Sequence, residues 1–228
     1  MVKVLVFALL GMAMVGGALA EEAAIQAPRN LDLSRRAGGG ALAALIAAQD
    51  LFALSTARLD PLAALAAARI MAGIGLSPVS RQPAEGQIAE QLGDGALSGL
   101  IDAARMFNVA RGMALDDGLA ALVEAERIGH SGPPTQTVQI TAGLVAGGAQ
   151  DRWDLAFYAG ELAEVAVLGD FGGVLDIQVE DAGGQLICRQ AGPRDQLYCP
   201  FVPRENGRFS VFVANPGVAP RGYGLLTN

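Results

Sequence analysis

The sequence predicts an α+β protein of two segregated domains: an all-α bundle or set of helical hairpins over residues 38–130, then an antiparallel β-sandwich over residues 138–228. Three observations carry this. Between Gly38 and His130 the chain is rich in alanine and leucine and nearly free of β-branched runs, and both residues lose little conformational freedom in a helix. At His130–Thr137 the run HSGPPTQT sets glycine and two prolines where no helix continues, which makes 131–137 a linker. Beyond it, valine, isoleucine and aromatic residues alternate with polar ones in short segments broken by glycine, the period of half-buried strands.

The elements follow in order. MVKVLVFALLGMAMVGGALAEE places Lys3 before an apolar run of about 17 residues and a small-residue triplet before Glu21, which reads as a secretory signal peptide over 1–20, too short to serve as a spanning helix. No later segment reads as long and apolar enough to span a bilayer, so no stable membrane insertion is expected after cleavage, and residues 21–37 read as an extended lead-in. Leu42, Leu45, Ile46 and Phe52 recur at helical spacing. Asp60-Pro61 then restarts the chain with an N-cap and a first-turn proline, in a helix that Gly73 and Gly75 end. GLSPVSRQPAEG reads as a connection. A third helix is drawn through Leu97, Leu100, Ile101, Ala104 and Phe107, and a fourth from Asp116 or Asp117 to Gly129, with His130 at the negative end of its dipole.

In the second half, TVQITAGLV, RWDLAFYA, LAEVAVLG, VLDIQVED, QLICRQ, DQLYCPF, RFSVFVAN and GYGLLTN read as strands, spaced as in a sandwich of roughly 90 residues. In VLDIQVED, Leu175, Ile177 and Val179 share one face, while Asp176, Gln178 and Glu180 share the other. Asp181 to Gly184 makes the next turn. The two cysteines, Cys188 and Cys199, are even in number in a chain read as exported, so they are expected to form one disulfide that braces adjacent or facing strands.

Four stretches in order carry a resemblance: DRWDLAFYAGE (151–161), GDFGGVLDIQVEDAGGQL (169–186), NGRFSVFVANPG (206–217) and RGYGLLTN (221–228). Together they resemble the bacterial pre-peptidase C-terminal domain, a small jelly-roll-like sandwich related to the collagen-binding domains of secreted collagenases. The resemblance implies a sandwich that binds or scaffolds. It also implies calcium as a candidate ligand, with Asp170 and Asp181 at positions where family members carry acidic residues, and Asp176, on the strand between them, completes the candidate set of carboxylates. Against that stand Arg189 and Arg194, where relatives place Asp- or Asn-rich sequence. Calcium needs six to eight oxygens. No other cofactor is expected.

Charge and motifs exclude several functions. Cleavage removes Lys3, the only lysine, leaving 15 arginines against 23 acidic residues and a net charge of −8. With no basic run, nucleic acid is excluded as a partner. One histidine and two cysteines do not make a structural zinc site. The chain has no G-x-S-x-G elbow, and GDGALSG (93–99) lacks the lysine of a phosphate loop. Trp153 and Tyr158 form a possible aromatic contact surface, with burial in the core as the plainer assignment for strand aromatics. The expectation is therefore a periplasmic or secreted, non-catalytic module whose partner is a protein or polysaccharide of the cell envelope, with the oligomeric state left open. The alternatives are a glycan-active enzyme using a carboxylate pair from different strands, or a purely structural envelope protein.

Overall fold

The computed structural model describes residues 29–35, 37–86, 99–170, 173–193 and 196–228. The expected leader, Leu97 and Arg194 lie outside them. Four helices come first, α1 (Ala41–Arg58), α2 (Pro61–Ala72), α3 (Ala103–Met113) and α4 (Asp117–Gly129), with one strand, β1 (Ile74–Pro78), between α2 and α3. Eight strands follow: β2 (Gln136–Val145), β3 (Gln150–Phe157), β4 (Ala163–Gly169), β5 (Asp176–Glu180), β6 (Leu186–Gln190), β7 (Gln196–Phe201), β8 (Gly207–Ala214) and β9 (Arg221–Thr227).

Three helices begin where an aspartate caps them. The Asp60 carboxylate accepts from the Leu62 and Ala63 N–H groups, both at 3.0 Å, with Pro61 in the first turn. Asp102 caps α3 through Arg105 N–H, and Asp116 caps α4 through Leu119 N–H. The third helix therefore starts after Leu100 and Ile101, which were expected inside it. Instead, the buried Gln49 side chain of α1 binds both main-chain groups of Ile101, at 2.8 and 3.1 Å. By length and composition α1 is apolar enough to cross a membrane, contrary to the expectation for segments beyond the leader. Alanine raises its mean hydropathy, and Leu42, Leu45, Ala48 and Phe52 bury its inner face within the protein.

The eight strands from β2 onward nest: β2 pairs with β9, β3 with β8, β4 with β7 and β5 with β6, all antiparallel. The result is one sheet in the order β1-β2-β9-β4-β7 facing a second in the order β3-β8-β5-β6, a jelly roll with an added edge strand. One core lies between the sheets, with Trp153, Val165, Val167, Ile177, Phe209 and Tyr223 among its members. A second lies between the helices and the outer face of the five-stranded sheet, where Val138, Ile140, Ala166, Leu168 and Leu226 meet α1, α2 and α3. Strand β4 is accordingly buried along its whole length.

The stretch from Gly75 read as a connection is corrected in part: β1 pairs in parallel with β2, from Ile74↔Gln136 to Pro78↔Ile140. The chain then crosses the open side of the sandwich to bridge Glu85 to Arg152 on β3. The opposite side is closed covalently. Cys188 on β6 and Cys199 on β7 belong to different sheets and are disulfide-bonded, with Cα atoms 5.9 Å apart. Because the bridge closes a ring of about a dozen residues, reduction is expected to lower stability by roughly 3 kcal/mol. A urea titration with and without reductant measures this, and coincident midpoints would refute it.

Candidate functional site

The helices cover one outer face of the sandwich and leave the other, that of the four-stranded sheet, without a layer among the described residues. Side chains of alternate residues point outward there, and the register aligns them in rows. Arg152, Phe212, Gln178 and Arg189 lie side by side across β3, β8, β5 and β6. The next row holds Asp154, Ser210 and Glu180, and the row on the other side holds Gln150, Ala214 and Asp176. Each row is one residue per strand, so a residue's place depends on the pairing partner and not on its neighbours in sequence.

Local hydrogen bonds hold these groups. Arg152 donates to both Asp154 oxygens, at 3.1 and 3.2 Å, and to Glu85 Oε1 at 3.0 Å. Ser210 Oγ donates to Asp154 Oδ1 at 3.0 Å, and Gln178 Nε2 to Glu180 Oε1 at 2.5 Å. The bond to Asp154 and its charge raise the Arg152 pKa above the usual guanidinium value. Between Arg189, Gln150 and Phe212 the face sinks into a hollow of about 280 Å³ lined also by Asp176, Gln178 and Glu180. The arrangement offers planar donors and acceptors around one aromatic ring.

The structure does not bring the three candidate calcium ligands together. Asp176 lies on this outer face, beside Gln178. Asp170, after β4, is 3.6 Å from Arg221 Nη1. Asp181 is 6% exposed, and its oxygens accept from three main-chain N–H groups: Gly183 and Gln185 on Oδ1, Asn30 on Oδ2. It thus fixes the β5–β6 turn, in which Gly184 has φ +73°, and ties the lead-in segment to the sandwich. Among the described residues no group of three or more His, Cys, Asp or Glu side chains is placed to hold a metal ion.

The aromatic pair separates. The contact-surface assignment is corrected for Trp153, which points inward from β3, is 2% exposed and donates through Nε1 to Tyr223 Oη at 2.8 Å. Tyr158, just past the strand end, is 65% exposed and lines a cleft of about 400 Å³ beside β3. His130 closes α4 as its C-cap, with its N–H on Glu126 O. The outward row across Arg152, Phe212, Gln178 and Arg189 was missed. Alternation in RFSVFVAN places Phe212 outward, but nothing local to it says that Arg152 and Gln178 flank it.

No known family and no curated protein matches the chain in sequence. Among solved structures, the chain is similar to the pre-peptidase C-terminal domain of a collagenase from Bacillus anthracis, with 13% identity, 39% of this chain and 87% of that one covered, and a TM-score of 0.35. It is also similar to a periplasmic inhibitor of g-type lysozyme from Aeromonas hydrophila, with 16% identity, 40% and 84% covered, and a TM-score of 0.32. The C-terminal CBM6 of a marine laminarinase from Zobellia galactanivorans follows, with 13% identity, 36% and 75% covered, and a TM-score of 0.24. The first of these is a domain of the kind that the strand motifs resemble.

Proposed function

We propose that the protein is an exported, non-catalytic binding module that holds a polysaccharide of the cell envelope on the outer face of its four-stranded sheet. The observation that carries this reading is the uncovered row Arg152–Phe212–Gln178–Arg189, flanked by Asp154, Ser210, Glu180 and Asp176. Carboxylates, amides and guanidinium groups bond hydroxyls in pairs, and a ring face packs on the C–H surface of a sugar. Protein interface cores are depleted of Asp and Glu, so this face favours the sugar over a protein. Asp154 and Glu180 already accept hydrogen bonds from their neighbours, which suits them to orient a ligand and not to transfer protons to it. The Cys188–Cys199 disulfide supports an oxidising compartment, periplasmic or extracellular.

Affinity electrophoresis of the full chain through gels containing envelope polysaccharides tests the reading. Retardation is expected in at least one gel, without loss of polymer mass. Phe212→Ala is expected to weaken retention about tenfold, or ~1.4 kcal/mol, with an unchanged far-UV spectrum. Retention by none of the polysaccharides, or equal retention of the variant, would refute it.

A further inference from the structure

Strand β3 is the outermost of its sheet, and the crossing segment closes only part of its free side. The main-chain groups of Arg152 are satisfied there, with its N–H on Glu85 O at 2.7 Å and its C=O accepting from Ala84 N–H at 2.7 Å. Such groups point to the same side at every second residue, so Asp154 and Ala156 aim theirs the same way. Among the described residues, neither has a main-chain partner on that side. The crossing segment has diverged to β2, where Val79 N–H donates to Ile140 O. The gap between is the 400 Å³ cleft, bounded by Arg81, Asp154, Ala156, Tyr158, Thr227 and Asn228.

Arg81 supplies the second observation. Its guanidinium donates to Gln139 Oε1, to Thr227 Oγ1 at 3.0 Å and to Thr141 Oγ1 at 3.5 Å, all neutral acceptors. Burial pushes its pKa below the usual value, and no carboxylate among the described residues offsets that loss of solvent. The carboxylate that shares the cleft, Asp154, is engaged by Arg152 and Ser210. A partly desolvated cation without a counter-charge is costly, and a carboxylate matches the fork of its donors.

We propose that this cleft receives an extended peptide segment of a partner protein, which adds as a strand along Asp154–Ala156 and sets a carboxylate on Arg81. Strand addition supplies main-chain hydrogen bonds independent of peptide sequence, and the carboxylate supplies selection. The two-residue bridge of Ala84 and Glu85 to Arg152 already lays down the first rung of such a ladder. Tyr158, exposed at the far end, offers its ring to a peptide side chain. This surface meets the polysaccharide face only at Asp154, whose main chain and not its side chain would pair with the peptide, so the two proposals are tested by different variants and fail separately.

The test probes the full chain against an array of randomised hexapeptides with free carboxyl ends and the same array amidated, followed by fluorescence anisotropy on the enriched sequences. Enrichment is expected, with a tenfold or greater loss of affinity on amidation or, for an internal acid, on replacing it with the amide. Arg81→Gln erases that difference. Ala156→Pro removes the outward N–H at an exposed edge that tolerates proline, and it is expected to abolish binding without changing the far-UV spectrum. Phe212→Ala, on the other face, binds peptide normally. No enrichment on either array, equal affinity of acid and neutral peptides, or normal binding by Ala156→Pro would overturn the proposal.

Discussion

Replacing Glu164 with alanine is expected to lower stability by about 3 kcal/mol, because several hydrogen bonds to a charged group are lost together. Helix α1 has no capping side chain of its own, since Gly40 stands at the N-cap. Its free N–H groups point instead at Glu164, 1% exposed on the helix-facing side of β4. Gly40 N–H donates to Oε1 at 2.9 Å, Ala43 N–H to Oε1 at 3.3 Å and Leu42 N–H to Oε2 at 3.4 Å. Negative charge at a helix N-terminus also favours the macrodipole. Tyr198 donates its hydroxyl to the same carboxylate, and burial together with that charge raises its pKa.

At the 2–4 °C per kcal/mol usual for chains of this size, the midpoint should fall by roughly 6–12 °C. Glu164→Gln keeps one acceptor and is expected to lose about half as much. Gly40→Ala should imitate the loss, since its Cβ would lie 2.2 Å from Glu164 Oε2. Thermal melts at 222 nm measure all three. A Glu164→Ala midpoint within 2 °C of the parent would show that solvent caps α1 equally well.

Tyr223→Phe is expected to cost about 2–3 kcal/mol, although it removes one atom from the core, because it takes the acceptor from the buried Trp153 N–H and a hydrogen bond from the buried Asp151 carboxylate. The Tyr223 hydroxyl receives the Trp153 indole N–H at 2.8 Å and donates to Asp151 Oδ2 at 2.7 Å, and all three residues are at most 2% exposed. Burial first, then the Asp151 charge and hydrogen bond, raise the Tyr223 pKa, so the hydroxyl remains a donor. The ring lies flat over Gly143, where a Cβ would stand 2.2 Å from Cζ. Trp153 is the only tryptophan in the chain, so its fluorescence during urea unfolding reports this site directly. A cycle of Trp153→Phe, Tyr223→Phe and the double variant should be non-additive by at least about 0.5 kcal/mol, as for contacting residues in one network. Additive losses would mean that the hydrogen bond contributes nothing to the fold.

The strands were legible because each carries its signal within a few residues. VLDIQVED put Leu175, Ile177 and Val179 inward and Asp176, Gln178 and Glu180 outward, as the structure has them. The helix start at Asp60 was legible for the same reason, since a cap acts two or three residues away, and that of α4 was legible to within one residue, the structure selecting Asp116 over Asp117. β1 was not legible. Its five residues, IGLSP, include glycine and proline, and only the adjacent edge of β2 makes them a strand. The calcium set failed because Asp170, Asp176 and Asp181 are close in sequence, while strand and turn geometry sends them to three different surroundings.

By itself the sequence determined the two textures, the helix cap at Asp60 and a second at Asp116 or Asp117, the inward and outward faces of β5 and one disulfide pair. These depend on periodicity and hydrogen bonds between near neighbours. Only the tertiary structure decided that Glu164 caps a helix 124 residues earlier in the chain, that Phe212 lies between Arg152 and Gln178, and that Arg81 shares a cleft with β3. Such juxtapositions depend on which strands pair after long loops close. That choice is made by the burial of two cores at once, a property of the whole chain that no short segment encodes.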